Sequence, residues 1–106
     1  MKSENLVNAV MNEVVKLGLA NHPDVPMFEK SMRRLAEEFY ELIDEGEFEE
    51  AYTAMSRVET TAITFVNTLF LHKHISFTVA SVLKKRFKSY ADQYRLDAWR
   101  NLRNRV

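Results

Sequence analysis

The chain has 106 residues, 46% hydrophobic and 28% charged, with 15 acidic and 15 basic side chains and no cysteine. That length supports a single helical domain over residues 1–106 whose core can form without disulfides or a structural metal, and that composition excludes wholesale disorder. Without cysteine there is no disulfide framework, thiolate metal site or thiol nucleophile, so a reducing, cytoplasmic setting is the expectation.

Asn5, Asn8, Asn12 and Glu13 interrupt the first apolar stretch, so no secretory leader is expected. The longest uncharged run, Thr60 to Leu71, falls short of the roughly 20 residues a bilayer span requires, so no membrane partner is expected either. With only two glycines and two prolines, and apolar residues recurring at helical spacing, the sequence reads as all-α: a small bundle of four helices.

The first helix, over about residues 3–18, carries Leu6, Val10, Val14 and Leu17, with Ser3 placed to cap it and Gly18 to end it. The second, about 26–45, has Pro26 in its first turn and a seam of Phe28, Met32, Leu35, Phe39 and Leu42. Gly46 supplies a left-handed C-terminal cap, and the third helix, about 47–71, resumes with Phe48, Ala51, Met55, Val58, Ala62, Phe65 and Leu69. Helices 2 and 3 are therefore an antiparallel hairpin. The segment Glu45–Ala51 is similar to the turn of a tetratricopeptide helix pair, without a second copy or the remaining signature positions.

Beyond Ala62 the third helix is apolar on several faces, which marks it as the central element. Ser76 can cap a fourth helix, about 76–103, with a stripe of Val79, Leu83, Phe87, Tyr90, Tyr94 and Ala98. This helix exceeds its neighbours in length. Its far end, with Leu96, Trp99 and Leu102, is expected to bend back, fray, or pack against a second copy in a homodimer.

Net neutrality hides a strong asymmetry. Residues 21–50 carry ten acidic side chains against three basic ones, and residues 51–106 carry the reverse. On the second helix Glu37, Glu41, Asp44 and Glu45 lie off the apolar seam. On the fourth, at about 100° per residue, Arg95, Lys88 and Trp99 fall within about 60° of Lys84, with Lys85 and Arg103 about 100° from it. These ten residues are the candidate partner-binding set.

No catalytic apparatus is legible. The serines have no base at a diagnostic spacing, no glycine-rich phosphate loop exists, and the acidic run lacks the Glu-x-x-His motif of a bundle di-metal site. His72 and His74 stand two residues apart beside a helix C-terminus, where imidazole caps a helix more readily than it ligates a metal. No cofactor or metal is therefore expected. The segment from Leu69 to Lys85 has no glycine in its turn, which argues against a helix-turn-helix. The sequence points to a non-enzymatic protein–protein interaction module, an adaptor, inhibitor or small regulator acting through charged helix faces. The alternative is a nucleic-acid-binding regulator using the basic fourth helix, where phosphate contacts and one indole stand together.

Overall fold

A computed structural model describes the backbone of residues 2–105 and the side chains of residues 3–100. Four helices follow one another: α1 (Lys2–Lys16), α2 (Val25–Asp44), α3 (Phe48–Leu71) and α4 (Phe77–Arg105), with no strand among the described residues. The expected all-α bundle is thus the observed fold, and its boundaries lie within two residues of those read from the apolar pattern. One expectation at the amino end fails. Ser3 is buried inside the first turn of α1 rather than standing before it as a cap.

Three helix ends close in the same way. Gly18 (φ 75°) and Gly46 (φ 78°) take the left-handed conformation that an absent Cβ permits, and so does Lys73 (φ 63°). After α1 the Gly18 amide donates to the Val15 carbonyl (2.9 Å) and the Leu19 amide to that of Val14 (3.4 Å). After α2 the Gly46 amide reaches Ile43 (3.1 Å) and the Glu47 amide Leu42 (2.8 Å); after α3 the Lys73 amide reaches Phe70 (3.0 Å) and the His74 amide Leu69 (2.9 Å). Each pair satisfies carbonyls that the helix leaves open. Ser76 caps α4 as read from sequence, its Oγ accepting from the Val79 amide at 3.1 Å.

α2 and α3 run antiparallel, with Phe28 against Phe65 and Glu38 against Arg57, as do α3 and α4, with Phe70 against Phe77 and Glu59 against Arg95; α3 lies between α2 and α4. The core is one continuous cluster. It takes Leu6, Val7, Val10 and Val14 from α1; Phe28, Met32, Leu35, Ala36, Phe39 and Ile43 from α2; and Ala51, Ala54, Met55, Val58, Ala62, Phe65, Val66 and Leu69 from α3. On α2, Ile43 takes the buried place expected of Leu42, which is only half-buried. From α4 the cluster takes Ala80, Leu83, Phe87, Ala91 and Ala98, while Val79, Tyr90 and Tyr94 pack at its margin. Phe28 stacks on Phe65 with centroids 4.0 Å apart, fixing α2 on α3.

The molecule measures 48 × 23 × 18 Å, and the 29 residues of α4, roughly 43 Å at 1.5 Å per residue, account for its length. Although this helix outreaches its neighbours, it continues as one α-helix to Arg105 and does not break. α1 leans on α2 and touches α4 chiefly through Glu13, whose carboxylate accepts hydrogen bonds from Arg86 (2.7 Å) and the Tyr90 hydroxyl (2.9 Å). Burial would raise the Glu13 pKa; the hydrogen bonds from Arg86 and Tyr90 and the charges of Arg86 and Lys16 outweigh it and hold the carboxyl below its ordinary value. None of the helices is long and apolar enough, over the described residues, to cross a membrane.

Candidate functional site

The antiparallel register of α3 and α4 sets Phe70 beside Phe77 at one end and brings Arg95 level with Glu59, Ser56 and Tyr52 near the other. Arg95 is thereby drawn into the structure. Its guanidinium donates to Glu59 (3.3 Å), Asp92 (2.8 Å) and the Ser56 hydroxyl (3.1 Å), and its Cζ lies 5.2 Å from the centroid of the Tyr52 ring. Only 11% of the side chain remains exposed, so Arg95 does not belong to the open basic face that the helical angles implied. Its Nε is buried without a hydrogen-bond partner among the described residues.

Around this fixed arginine opens a shallow groove of about 460 Å³, lined by Tyr52, Asp92, Arg95, Leu96 and Trp99. Its walls are chiefly apolar. Tyr52, Leu96 and Trp99 are 57%, 55% and 58% exposed, in contrast to the nearly dry residues of the core. α4 buries its opposite side against the bundle through Ala91 and Ala98, which forces Leu96 and Trp99 outward, and α3 buries Ala51 and Met55, which does the same to Tyr52. Large apolar side chains gathered at one place on a small surface are the usual mark of a binding face.

The charged candidates fall on either side. Glu37, Glu41, Asp44 and Glu45 are exposed towards the α2–α3 turn, and no ion pair within the described residues reaches them. Beside them a cleft of about 360 Å³ runs between α2 and α3, lined by Glu38, Leu42, Glu49, Glu50, Thr53 and Arg57, where Arg57 pairs with Glu38 at 3.0 Å. On α4, Lys85 and Lys88 are exposed and Lys84 half-buried, likewise without an ion pair among the described residues. The Arg103 side chain lies outside the described ones, as does that of Leu102. Among the described residues, Arg57–Glu38 joins the acidic segment to the basic one and Arg95–Glu59 joins α3 to α4, while the other acidic and basic candidates carry no such pair.

At the opposite end His22 meets His72 and His74, about 50 residues further along the chain. The His22 ring packs edge-on against His74 with centroids 4.5 Å apart, His72 stacks 6.4 Å from His74, and His22 Nδ1 accepts from the Asp24 amide (3.1 Å). Among the described residues no group of three or more His, Asp or Glu side chains is arranged to hold a metal ion.

The helical angles on α4 marked Trp99, and the excess length of that helix marked Leu96 with Trp99 as apolar surface open to a second copy. Tyr52 joins them only through the tertiary register of α3 on α4. Compared with protein-family models, curated proteins and solved structures, the chain matches none.

Proposed function

We propose that the protein is a non-enzymatic protein–protein interaction module whose contact face is the groove of Tyr52, Leu96 and Trp99. The observation that carries this reading is the exposure of those three large side chains on a rigid helical pair, with Arg95 held beneath them. Trp, Tyr and Arg are the residues on which binding energy concentrates at protein interfaces, and an anchor already held by packing loses little entropy on binding. The carboxylates of Glu37, Glu41, Asp44 and Glu45, without an ion pair among the described residues, would then steer and select the partner rather than supply most of the affinity.

Nucleic-acid binding has weaker support. With Arg95 turned inward and Asp92 between the remaining cations, the basic face is reduced to Lys84, Lys85 and Lys88 among the described side chains.

A photo-crosslinking residue at Leu96 tests the proposal. In nuclease-treated host extract, irradiation should join the chain to protein, and Trp99→Ala should abolish the adduct without changing helicity by circular dichroism. Absence of any protein adduct, in extract or with the purified chain, would overturn the reading.

A further inference from the structure

We infer that the occupant of the Tyr52–Leu96–Trp99 face is a second copy of this chain, the two protomers pairing antiparallel along the outer edge of α4. This rests on the reading of that face as an interaction surface. α4 carries two stripes. The inner one is buried through Leu83, Phe87, Ala91 and Ala98. The outer one runs Lys85, Ser89, Asp92, Leu96, Trp99 and Arg103, in alternating steps of four and three residues, the spacing that keeps one line of a helix facing a second helix. Its first five members are all exposed.

Only the middle of the outer line is apolar, and the charges flanking that middle have opposite sign. Rotation of a second α4 about a two-fold axis midway between Leu96 and Trp99 sets Leu96 of each copy at the level of Trp99 of the other. It also sets the Asp92 position opposite the Arg103 position. Parallel pairing would instead place Asp92 beside Asp92 and Arg103 beside Arg103, so charge selects the antiparallel arrangement. Such a contact uses the same patch on both subunits and closes on itself.

The exposed portions of Tyr52, Leu96 and Trp99 amount to on the order of 300 Å² of apolar surface per protomer. Two such patches bring together about 600 Å² of apolar surface, below the roughly 1,200 Å² at which stable specific interfaces begin, so the contact is suited to a weak, reversible dimer.

Sedimentation equilibrium of the purified chain, from about 1 to about 200 µM, tests the inference. The expected result is a monomer–dimer equilibrium with a dissociation constant in the micromolar range, abolished by Leu96→Glu at unchanged helicity. Asp92→Arg alone and Arg103→Asp alone should each weaken the dimer at least tenfold, and the two together should restore most of it, since the exchange recreates the pairing in reverse. Loss of the Asp92–Arg95 contact within one chain would not be repaired by Arg103→Asp, so rescue reports on the interface itself. A single species of 12.4 kDa throughout the range, or a dimer indifferent to Leu96→Glu, would overturn self-pairing. If a monomeric chain still crosslinks through residue 96 to a different protein, self-pairing fails while the interaction surface stands; if it crosslinks to none, both fail.

Discussion

Glu13 places a carboxylate, 7% exposed, between α1 and α4, and its partners Arg86 and Tyr90 are 73 and 77 residues away in sequence. No periodicity reveals such a pairing, because Glu13 reads as an ordinary polar position on α1 until the fold closes over it. Truncation to Ala should strand the Tyr90 hydroxyl and remove the main tie between α1 and α4, costing about 1–3 kcal/mol in urea unfolding at neutral pH. Because the folded Glu13 titrates below its ordinary value, its contribution is complete above the unfolded carboxylate range and fades as pH falls through the folded pKa. The difference between wild type and Glu13→Gln should therefore shrink on acidification; a gap that stayed constant below about pH 4 would contradict this assignment. Lys73 makes the opposite case. It holds a left-handed φ of 63° where the other two helix ends use glycine, so Lys73→Gly should relieve strain and stabilise by about 0.5–1 kcal/mol in the same measurement.

At the level of elements, the helices were largely legible because each pairs an apolar stripe with its own punctuation: Gly18 and Gly46 at C-termini, Pro26 in a first turn, Ser76 as a cap. What the stripes could not give is how helices turn about their own axes in contact. Ile43 rather than Leu42 faces the core on α2, and Arg95 turns towards α3, because tertiary packing settles rotations that a single-helix projection leaves open. The α2–α4 contact illustrates the energetic consequence. Tyr40 and Tyr94 meet edge-on at 6.3 Å; burial raises both phenol pKa values, followed for Tyr40 by Tyr94 and then the Asp97 charge, and for Tyr94 by the Asp97 charge. Tyr90 shifts the same way, through burial and then its hydrogen bond to Glu13. A raised phenol pKa contributes stability below the unfolded value of about 10 that is lost as pH rises through the folded one. Thermal unfolding should thus drop steeply above about pH 10, less so in Tyr40→Phe; identical alkaline profiles would contradict the shift at Tyr40.

For the molecule as a whole, opposite charge on two halves of the sequence was visible at once, whereas the location of its apolar counterpart was not. Tyr52 and Trp99 are 47 residues apart and share a groove only because α3 and α4 run antiparallel in one register. The charge layout has its own test. If Lys84, Lys85 and Lys88 only solvate the helix, their joint replacement by Glu should leave crosslinking through residue 96 within about threefold of wild type, surface charges contributing little individually. A collapse of that crosslinking, or steeply salt-dependent retention of the wild-type chain on DNA or RNA, would favour the basic face as the site instead.

Trp99 is the only tryptophan, so its fluorescence reports directly on the face in question. Acrylamide quenching should be efficient in the dilute chain, where this side chain is 58% exposed, and should fall several-fold as the chain is concentrated from about 0.1 to about 200 µM or joined by its partner. Efficient quenching that stayed unchanged at every concentration and in nuclease-treated host extract would contradict the assignment of Trp99 to a contact surface.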